Sequence, residues 1–282
     1  RIDIAFFYQP ILTKNLSIMN AFEIKDGNIL EAIRVSPISK ARIIAEAGIP
    51  LIHVIGEADD AFITAQSLVK GSMTLIDSDR AHHLYRAIGT AVEMSGGSAA
   101  NTVCGVASFG GKAAYIGKVS KDDLGQVFGH DLLAVGVHFS PGQPLDGIAT
   151  GRCIIVVTPD AQRTMNTFLG VSSFMEPADV DVDVVAAGKV LYMEGYLFDR
   201  DDAKAAFRHA ARVAHAAGRE VSLSLSDSFC VDRHREDFRA LVTDEVDILF
   251  GNEEELLSLY QLQSFLLLEK HILPLPMSLL YL

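Results

Sequence analysis

The sequence has 282 residues with a formal net charge of −12 at pH 7, and 49% of the residues are hydrophobic. This length suits one large domain, or one domain with a small appendage. The acidic balance argues against nucleic acid or an anionic membrane as the main partner. The three cysteines lie far apart with no Cys-x-x-Cys spacing, which argues against both a disulfide framework and a cysteine metal site.

The two ends of the sequence carry no motif that we can assign. Mixed helical patterning covers Ile18–Arg34 and Ile38–Ala47, and residues 1–15 lack the basic, apolar and small-residue order of a signal peptide. Residues 261–282 are apolar but are interrupted by charges and prolines, which argues against a membrane-spanning helix. We therefore expect a soluble, cytoplasmic protein with unassigned segments at residues 1–47 and 261–282.

From residue 48 onward, predicted strands and helices alternate. The predicted strands are residues 51–55, 70–76, 113–119, 137–139, 152–158, 163–169, 190–193, 220–225 and 246–250. The predicted helices are residues 59–68, 78–88, 99–109, 122–135, 180–187, 201–217, 233–242 and 252–260. This alternation predicts an α/β fold with a mainly parallel sheet, and Pro159-Asp160-Ala161 predicts a β-hairpin around it.

In a parallel sheet of this kind, ligands bind beyond the carboxyl ends of the strands. Polar or glycine residues follow three of the predicted strands, at Gly195, at Ser226 and Asp227, and at Gly251-Asn252. Each alone is more often a loop residue than a ligand contact. Their common position predicts one polar rim.

A glycine pair, Gly96-Gly97, precedes a helix of small residues. Adjacent glycines allow a positive φ and a close approach of backbone amides to a ligand. Ser98 stands where a helix cap would stand, and Asn101 follows one turn later, so polar ligand oxygens could bind there. The alternative is a tight strand-to-helix turn without a ligand.

Two further segments each allow two interpretations. Asn252 and Glu255 begin a helix and are explained by N-capping and by the helix dipole, or they orient water around a nucleotide-bound Mg²⁺. Arg163 follows the hairpin turn and is either a surface charge or a ligand of a transferring phosphate.

Several motifs occur together in an order that resembles the PfkB (ribokinase-like) carbohydrate and nucleoside kinase family, and most closely its adenosine-kinase-like branch. They are Gly96-Gly97-Ser98-Ala99-Ala100-Asn101, Gly110, Tyr115 to Val119, Asp122 to Gly125, Thr150 to Cys153, Pro159 to Gly170, Tyr192 to Tyr196 and Phe250 to Glu255. The resemblance covers residues 48–260. It implies a ribokinase-like three-layer α/β sandwich with a small β-strand lid at about 51–76 and 150–170.

The resemblance also implies ATP-dependent, Mg²⁺-assisted phosphorylation of a hydroxymethyl group on a nucleoside or sugar. Residues that match the family's substrate contacts come from the glycine motif and from two lid strands; they are Gly96, Gly97, Ser98, Asn101, His53 and Cys153. Arg163 matches an arginine near the phosphates. Asn252, Glu255 and Asp227 match positions that support phosphate and Mg²⁺, without a direct metal ligand.

The sequence departs from the family in two important ways. Ile49 and His53 stand where family members have Asn and a sugar-binding Asp, and an imidazole cannot bind two vicinal hydroxyls as a carboxylate does. The family's Gly-Ala-Gly-Asp segment, which supplies the catalytic base and an anion hole, does not occur in the 282 residues. We therefore expect a fold truncated at the C-terminus and little or no kinase activity.

Adenosine is the first candidate substrate, and three questions remain open from the sequence. The substrate could instead be a sugar such as ribose or fructose, and the chain could be a degenerate member that binds without turnover. An open edge strand in the lid would suit a homodimer. Loss of the C-terminal strands would leave strand 246–250 at an exposed edge, which the apolar tail either covers or leaves prone to aggregation.

Overall fold

The structure, a computed structural model, describes residues 22–25, 28–30, 43–263 and 278–281. Two sheets organise these residues: a nine-stranded sheet and a five-stranded sheet that forms the lid. A large core cluster surrounds the nine-stranded sheet, and a second one joins the lid to the adjoining helices.

The large sheet has the spatial order β2-β1-β14-β13-β12-β11-β3-β7-β8. Its strands are β1 (Phe22–Lys25), β2 (Asn28–Leu30), β3 (Ile43–Ala47), β7 (Lys112–Gly117), β8 (His138–Pro141), β11 (Val190–Glu194), β12 (Glu220–Ser224), β13 (Ile248–Gly251) and β14 (Ser278–Tyr281). All neighbours from β14 to β8 are parallel, whereas β1 pairs antiparallel with both β14 and β2. The predicted mainly parallel sheet is confirmed.

The helices predicted before residue 48 are wrong in the part of that segment that the structure describes. Residues 22–25 and 28–30 are strands, and Ile43–Ala47 is a central strand between β11 and β7. Ile43–Ala47 is short and flanked by two parallel neighbours, so sheet pairing overrides the high helical propensity of its two alanines. The other residues of the two predicted helices lie outside the described part.

The lid sheet has the order β5-β10-β9-β4-β6. Its strands are β4 (Leu51–Glu57), β5 (Met73–Leu75), β6 (Ala91–Gly96), β9 (Arg152–Val157) and β10 (Arg163–Phe168). The predicted hairpin is confirmed, since β9 and β10 pair antiparallel with Ala161 in the left-handed region at the turn. Strand β6 was not predicted, because its sequence lacks a clear apolar alternation.

Helices α1 (Asp60–Ala65) and α2 (Ser78–Ala87) cover one face of the lid sheet. Their buried Ile63 and Leu84 share a core cluster with Val54 and Ile154 of the central lid strands. Strand residues of the opposite parity, which include His53 and Cys153, therefore point to the other face.

The remaining helices pack on the large sheet or beside it. They are α3 (Ser98–Ser108), α4 (Asp123–Ala134), α5 (Val182–Ala187), α6 (Asp201–Ala216), α7 (Ser228–Asp244) and α8 (Glu253–Tyr260). Helix α6 packs an alanine-rich face with Phe207 into the core, and Gly218 follows it with a φ of +68°, the expected helix stop.

Strand β14 answers the question that the sequence left open about the sheet edge. It pairs in parallel with β13, from Ile248 opposite Ser278 to Gly251 opposite Tyr281. The apolar tail therefore covers the edge of β13 instead of leaving it exposed.

Candidate active site

The glycine pair forms the point where the chain leaves the lid and enters α3. Gly97 has a φ of +101° and is the N-cap of α3. A Cβ on Gly97 would lie 2.6 Å from the carbonyl oxygen of Ile49, and a Cβ on Gly96 would lie 2.5 Å from the His53 ring. Neither position has room for a Cβ, so both require glycine. The positive φ of Gly97 is a second reason for glycine there.

The cap prediction for Ser98 was wrong. Ser98 is the first helical residue, and its carbonyl accepts a hydrogen bond from the Thr102 hydroxyl. The N-cap position belongs to Gly97 because only a residue tolerant of its φ fits there. Ser98 and Asn101 are both exposed, so their polar side chains lie on the solvent side of the first turn.

His53 and Cys153 are neighbours in one register row that crosses the lid sheet. Cys153 pairs with His53 on one side and with Thr167 on the other. Burial lowers the pKa of His53, and burial raises the pKa of the Cys153 thiol to about 11 despite a hydrogen bond from the Thr167 hydroxyl, 3.2 Å away. This row is therefore uncharged at neutral pH and suits contact with a neutral ligand.

Glu194 was not predicted as a site residue. It ends β11, is 2% exposed, and accepts backbone hydrogen bonds from Ile49 (3.4 Å) and Ala99 (3.1 Å). Burial raises its pKa to about 7, although these two amides oppose the shift. A carboxylate that directly follows an apolar strand was the available sequence signal.

Asp227, Asn252 and Glu255 lie at the carboxyl ends of β12 and β13. Asp227 caps α7 by accepting from the Cys230 amide at 2.6 Å. Asn252 and Glu255 form a reciprocal capping box, in which each backbone amide donates to the other residue's side chain at 2.9 to 3.0 Å. The contacts that the N-capping interpretation requires are present. They place Asn252 and Glu255 at the same helix start that the magnesium interpretation requires.

A hydrogen bond joins Tyr196, which follows β11, to Ser226, which follows β12. Ser226 has a φ of +73°, which is strained for a residue other than glycine, and its carbonyl accepts from the Tyr196 hydroxyl at 3.2 Å. Burial is the main cause that raises the pKa of Tyr196, and the charges of Asp227 and Glu194 add to it. The negative charges of Asp227 and Glu194 thus both favour the neutral phenol of Tyr196.

The donor set at this rim fits a magnesium ion held through water. Both carboxylate oxygens of Glu255 already accept hydrogen bonds from Asn252, and burial raises the pKa of Glu255, with the Asp227 charge as a further cause. No group of three or more His, Cys, Asp or Glu that could hold a metal is found among the described residues. Because Mg²⁺ keeps several of its waters, Asp227 and Glu255 could hold it indirectly.

Arg163 lies at the tip of the lid, away from the other predicted site residues. It is exposed, begins β10 and pairs with Val157. It precedes Thr167 of the His53 row by four positions, which corresponds to about 13 Å along the strand. Arg163 shares the face of His53 and Cys153.

A cavity of about 410 Å³ lies at the base of the lid, between the end of β10, the start of α2 and residues 147–149. Its size is in the range of small-molecule sites, but its lining includes none of the predicted site residues. Among the described residues, no helix is long and apolar enough to cross a bilayer.

Comparisons with known proteins extend these observations. A model of the "pfkB family carbohydrate kinase" matches residues 67–271. The crystal structure of adenosine kinase from Sinorhizobium meliloti is 49% identical and covers 82% of this chain and 71% of that chain, with a TM-score of 0.75. A "probable sugar kinase protein" from Rhizobium etli is 46% identical, with 82% and 70% coverage and a TM-score of 0.75.

Curated relatives are more distant. The protein "Probable fructokinase-6, chloroplastic" of Arabidopsis thaliana is 28% identical over 173 residues, which is 58% of this chain and 44% of that protein. The chain thus spans less than half the length of this relative. The fold is ribokinase-like, as in the adenosine kinase structures. Because the family match extends over most of the chain, the protein belongs to the pfkB family of carbohydrate kinases.

Proposed function

We propose that the chain is the core of an ATP-dependent phosphotransferase whose acceptor is the hydroxymethyl group of a nucleoside, with adenosine as the first candidate. The observation that carries this proposal is the 49% identity to the Sinorhizobium meliloti adenosine kinase over 82% of the chain.

The residues of the lid base support a neutral, partly apolar acceptor. His53 and Cys153 form an uncharged row at neutral pH, and the Gly96–Asn101 turn offers the exposed Ser98 and Asn101 beside it. We assign these residues to the acceptor. A neutral imidazole provides one donor and one acceptor, which suits a single hydroxyl or a ring nitrogen better than two vicinal hydroxyls.

The opposite part of the rim is assigned to the phosphates. Asp227 and Glu255 would hold Mg²⁺ through water, and Asn252 would fix Glu255 through their mutual hydrogen bonds. When bound with ATP, Mg²⁺ neutralises charge on the transferred phosphoryl group. Arg163 would reach that group only if the lid tip moved towards the rim.

The 282 residues contain no Gly-Ala-Gly-Asp segment and therefore no family-type base. Without a group that accepts the proton of the attacking hydroxyl, and without the anion hole, positioning alone gives slow transfer. We expect the 282-residue chain to bind its acceptor without measurable turnover.

A sugar is the second candidate acceptor. The curated relatives are fructokinases, and the Rhizobium etli protein is described as a sugar kinase. The replacement of the family's sugar-binding Asp by His53 does not separate these candidates, because adenosine carries the same vicinal hydroxyls on its ribose.

Calorimetric titration of the 282-residue chain with adenosine, fructose and ribose tests the choice of acceptor. We expect weak adenosine binding and no binding of either sugar at the same concentration. Tighter binding of fructose or ribose than of adenosine would make a sugar the favoured acceptor. Incubation with ATP, Mg²⁺ and each acceptor tests turnover separately, and phosphorylated product would overturn the expected inactivity.

A further inference from the structure

Glu194 occupies an unusual position for a carboxylate. It lies in register with Ser224 at the end of β11 and is 2% exposed. No salt bridge to Glu194 is found within residues 43–263. A buried carboxylate without a cation is costly unless hydrogen bonds compensate it, so its hydrogen-bond partners define what it does.

Those partners come from two crossings between the large sheet and the lid. Ile49 belongs to residues 48–50, which connect β3 of the large sheet to β4 of the lid, and its amide donates to Oε2 of Glu194 at 3.4 Å. Ala99 follows the exit from β6 and begins α3 with Ser98, and its amide donates to Oε1 at 3.1 Å. A single side chain of the large sheet thus holds both crossings.

The two crossings also contact each other. The carbonyl oxygen of Ile49 lies so close to Gly97 that a Cβ there would be 2.6 Å away. A carboxylate at the N-terminus of α3 is favoured by the helix dipole. Movement of one crossing would therefore displace the other, and with it the turn that contains Gly96 and Gly97.

We propose that Glu194 is a positioning residue that fixes the lid hinge and, through Ile49 and Ala99, holds the Gly96–Asn101 turn in its acceptor-binding geometry. This inference rests on the proposed function for the assignment of the turn to the acceptor. Both oxygens of an ionised carboxylate accept hydrogen bonds, whereas a protonated carboxyl uses one oxygen as a donor. The ionised form is therefore the one that holds both amides.

Tyr115, Tyr196 and Ser224 belong to other elements that approach Glu194. A Cβ on Gly48 would lie 3.1 Å from Oε2 of Glu194 and 3.3 Å from the Tyr115 hydroxyl, and Tyr196 approaches from the segment after β11. Ser224 of β12 is not titratable in this range, and α3 contributes Ala99. A change of acceptor affinity near pH 7 would thus report Glu194, while His53, whose pKa is lowered by burial, would act at lower pH.

The experiment measures adenosine affinity of the full chain and of Glu194→Gln by calorimetry between pH 5.5 and 8.5. We expect the affinity of the unmodified chain to rise through pH 7, and that of Glu194→Gln to be about tenfold weaker at pH 8, the equivalent of one hydrogen bond to a charged group, with no rise through pH 7. Asp247→Asn is the matched control, since Asp247 also accepts a backbone amide, that of Val221 at 2.8 Å, but precedes β13 and so lies at its opposite end. An equal, pH-independent loss in both variants would overturn the proposal.

Amide hydrogen exchange without ligand keeps the test separate from the proposed function. In Glu194→Gln we expect faster exchange at Ile49 and Ala99 only, and unchanged exchange there would overturn the proposal whether or not adenosine binds. If the unmodified chain binds neither adenosine nor a sugar, the proposed function fails and the exchange result alone decides on Glu194. If Glu194→Gln does not fold, the carboxyl ¹³C titration of Glu194 in the unmodified chain must follow the pH profile of adenosine affinity, and a mismatch would overturn the proposal.

Discussion

The rim has a lid side, which contains Glu194 and the Gly96–Asn101 turn, and another side, which contains Asp227, Asn252 and Glu255. The hydrogen bonds that hold these two halves differ in how far apart their partners lie in the sequence. On the lid side, Glu194 bonds to Ile49 and Ala99, which lie 145 and 95 residues away in the sequence. On the other side, Asp227 and the pair Asn252–Glu255 bond to groups three residues away. The lid side therefore depends on the whole fold being assembled, whereas the other side depends on two helix starts.

The largest effect is expected at Gly97, where backbone conformation and close approach coincide. Gly97→Ala would place a Cβ 2.6 Å from the Ile49 carbonyl oxygen at a φ of +101°. Strain and overpacking together should lower the free energy of unfolding by about 3 kcal/mol or more, and adenosine binding should be lost. Urea unfolding and calorimetry measure the two quantities.

Gly136→Ala is the control for backbone strain alone. Gly136 has a φ of +84° with open space around a Cβ, so the substitution should cost about 1 kcal/mol and leave adenosine affinity unchanged. Equal effects of the two substitutions would show that the close approach to Ile49 contributes nothing, and the contrast between the two halves of the rim would lose its main support.

The second effect is a pH dependence of stability that arises on the lid side. Burial raises the pKa of Glu194 from 4.5 to about 7 in the folded chain, so the folded state keeps a proton that the unfolded state loses near pH 4.5. Stability should therefore fall as the pH rises from about 4.5 to 7 and then level off. Between pH 5 and 8 we expect a loss of about 2 to 3 kcal/mol relative to Glu194→Gln, measured by urea unfolding.

Ionisation of Glu194 would thus lower the free energy of unfolding, although the ionised form is the one that we propose for acceptor binding. Such a conflict between stability and function is common. Other titrating groups are common to the unmodified chain and to Glu194→Gln, so the difference between the two isolates Glu194. A difference that does not change with pH would mean that Glu194 is already ionised at pH 5 in the folded state.

The contrast also explains which parts could be predicted from the sequence. The cap of α8 was readable because Asn252 and Glu255 are three residues apart, and the strand–helix alternation after residue 48 is a local pattern. The strand character of Ile43–Ala47 depends on β7 and β11 far along the chain, and so does the role of Glu194. Neither follows from neighbouring residues.

The assignment of individual site residues shows the same limit. His53 and Cys153 were assigned through a family resemblance, while their shared register row requires the pairing of β4 with β9, about a hundred residues apart. Ser98 was wrongly placed as a cap because the φ of +101° at Gly97 depends on contact with Ile49. The distance of Arg163 from the rim follows from lid geometry, which a linear motif does not contain.

A smaller effect is expected on the other side of the rim. Asn252→Ala removes the side chain that accepts from the Glu255 amide at 2.9 Å, and loss of an N-cap costs about 1 kcal/mol. Adenosine affinity should stay unchanged because the lid-side contacts are untouched. Urea unfolding together with an adenosine titration provides the measurement.

Asp77→Ala is the matched control in the lid, since Asp77 caps α2 with the same kind of contact, to the Arg80 amide at 2.8 Å. Both variants should lose similar stability and neither should lose adenosine. Weaker adenosine binding by Asn252→Ala alone would mean that the two halves of the rim are energetically coupled, and Tyr196, which is close to both, would be the first residue to examine.

The smallest effect is expected at Arg163, at the tip of the lid. Its side chain is exposed and lies about 13 Å along the strand from the His53 row, so Arg163→Gln should change stability by less than about 0.5 kcal/mol and leave adenosine affinity within about twofold. Arg86→Gln, an exposed charge of α2 on the other face of the lid, should behave the same way. A much weaker adenosine affinity for Arg163→Gln alone would require the lid tip to close onto the rim when the acceptor binds. Arg163 would then belong with the acceptor-binding residues on the lid side of the rim.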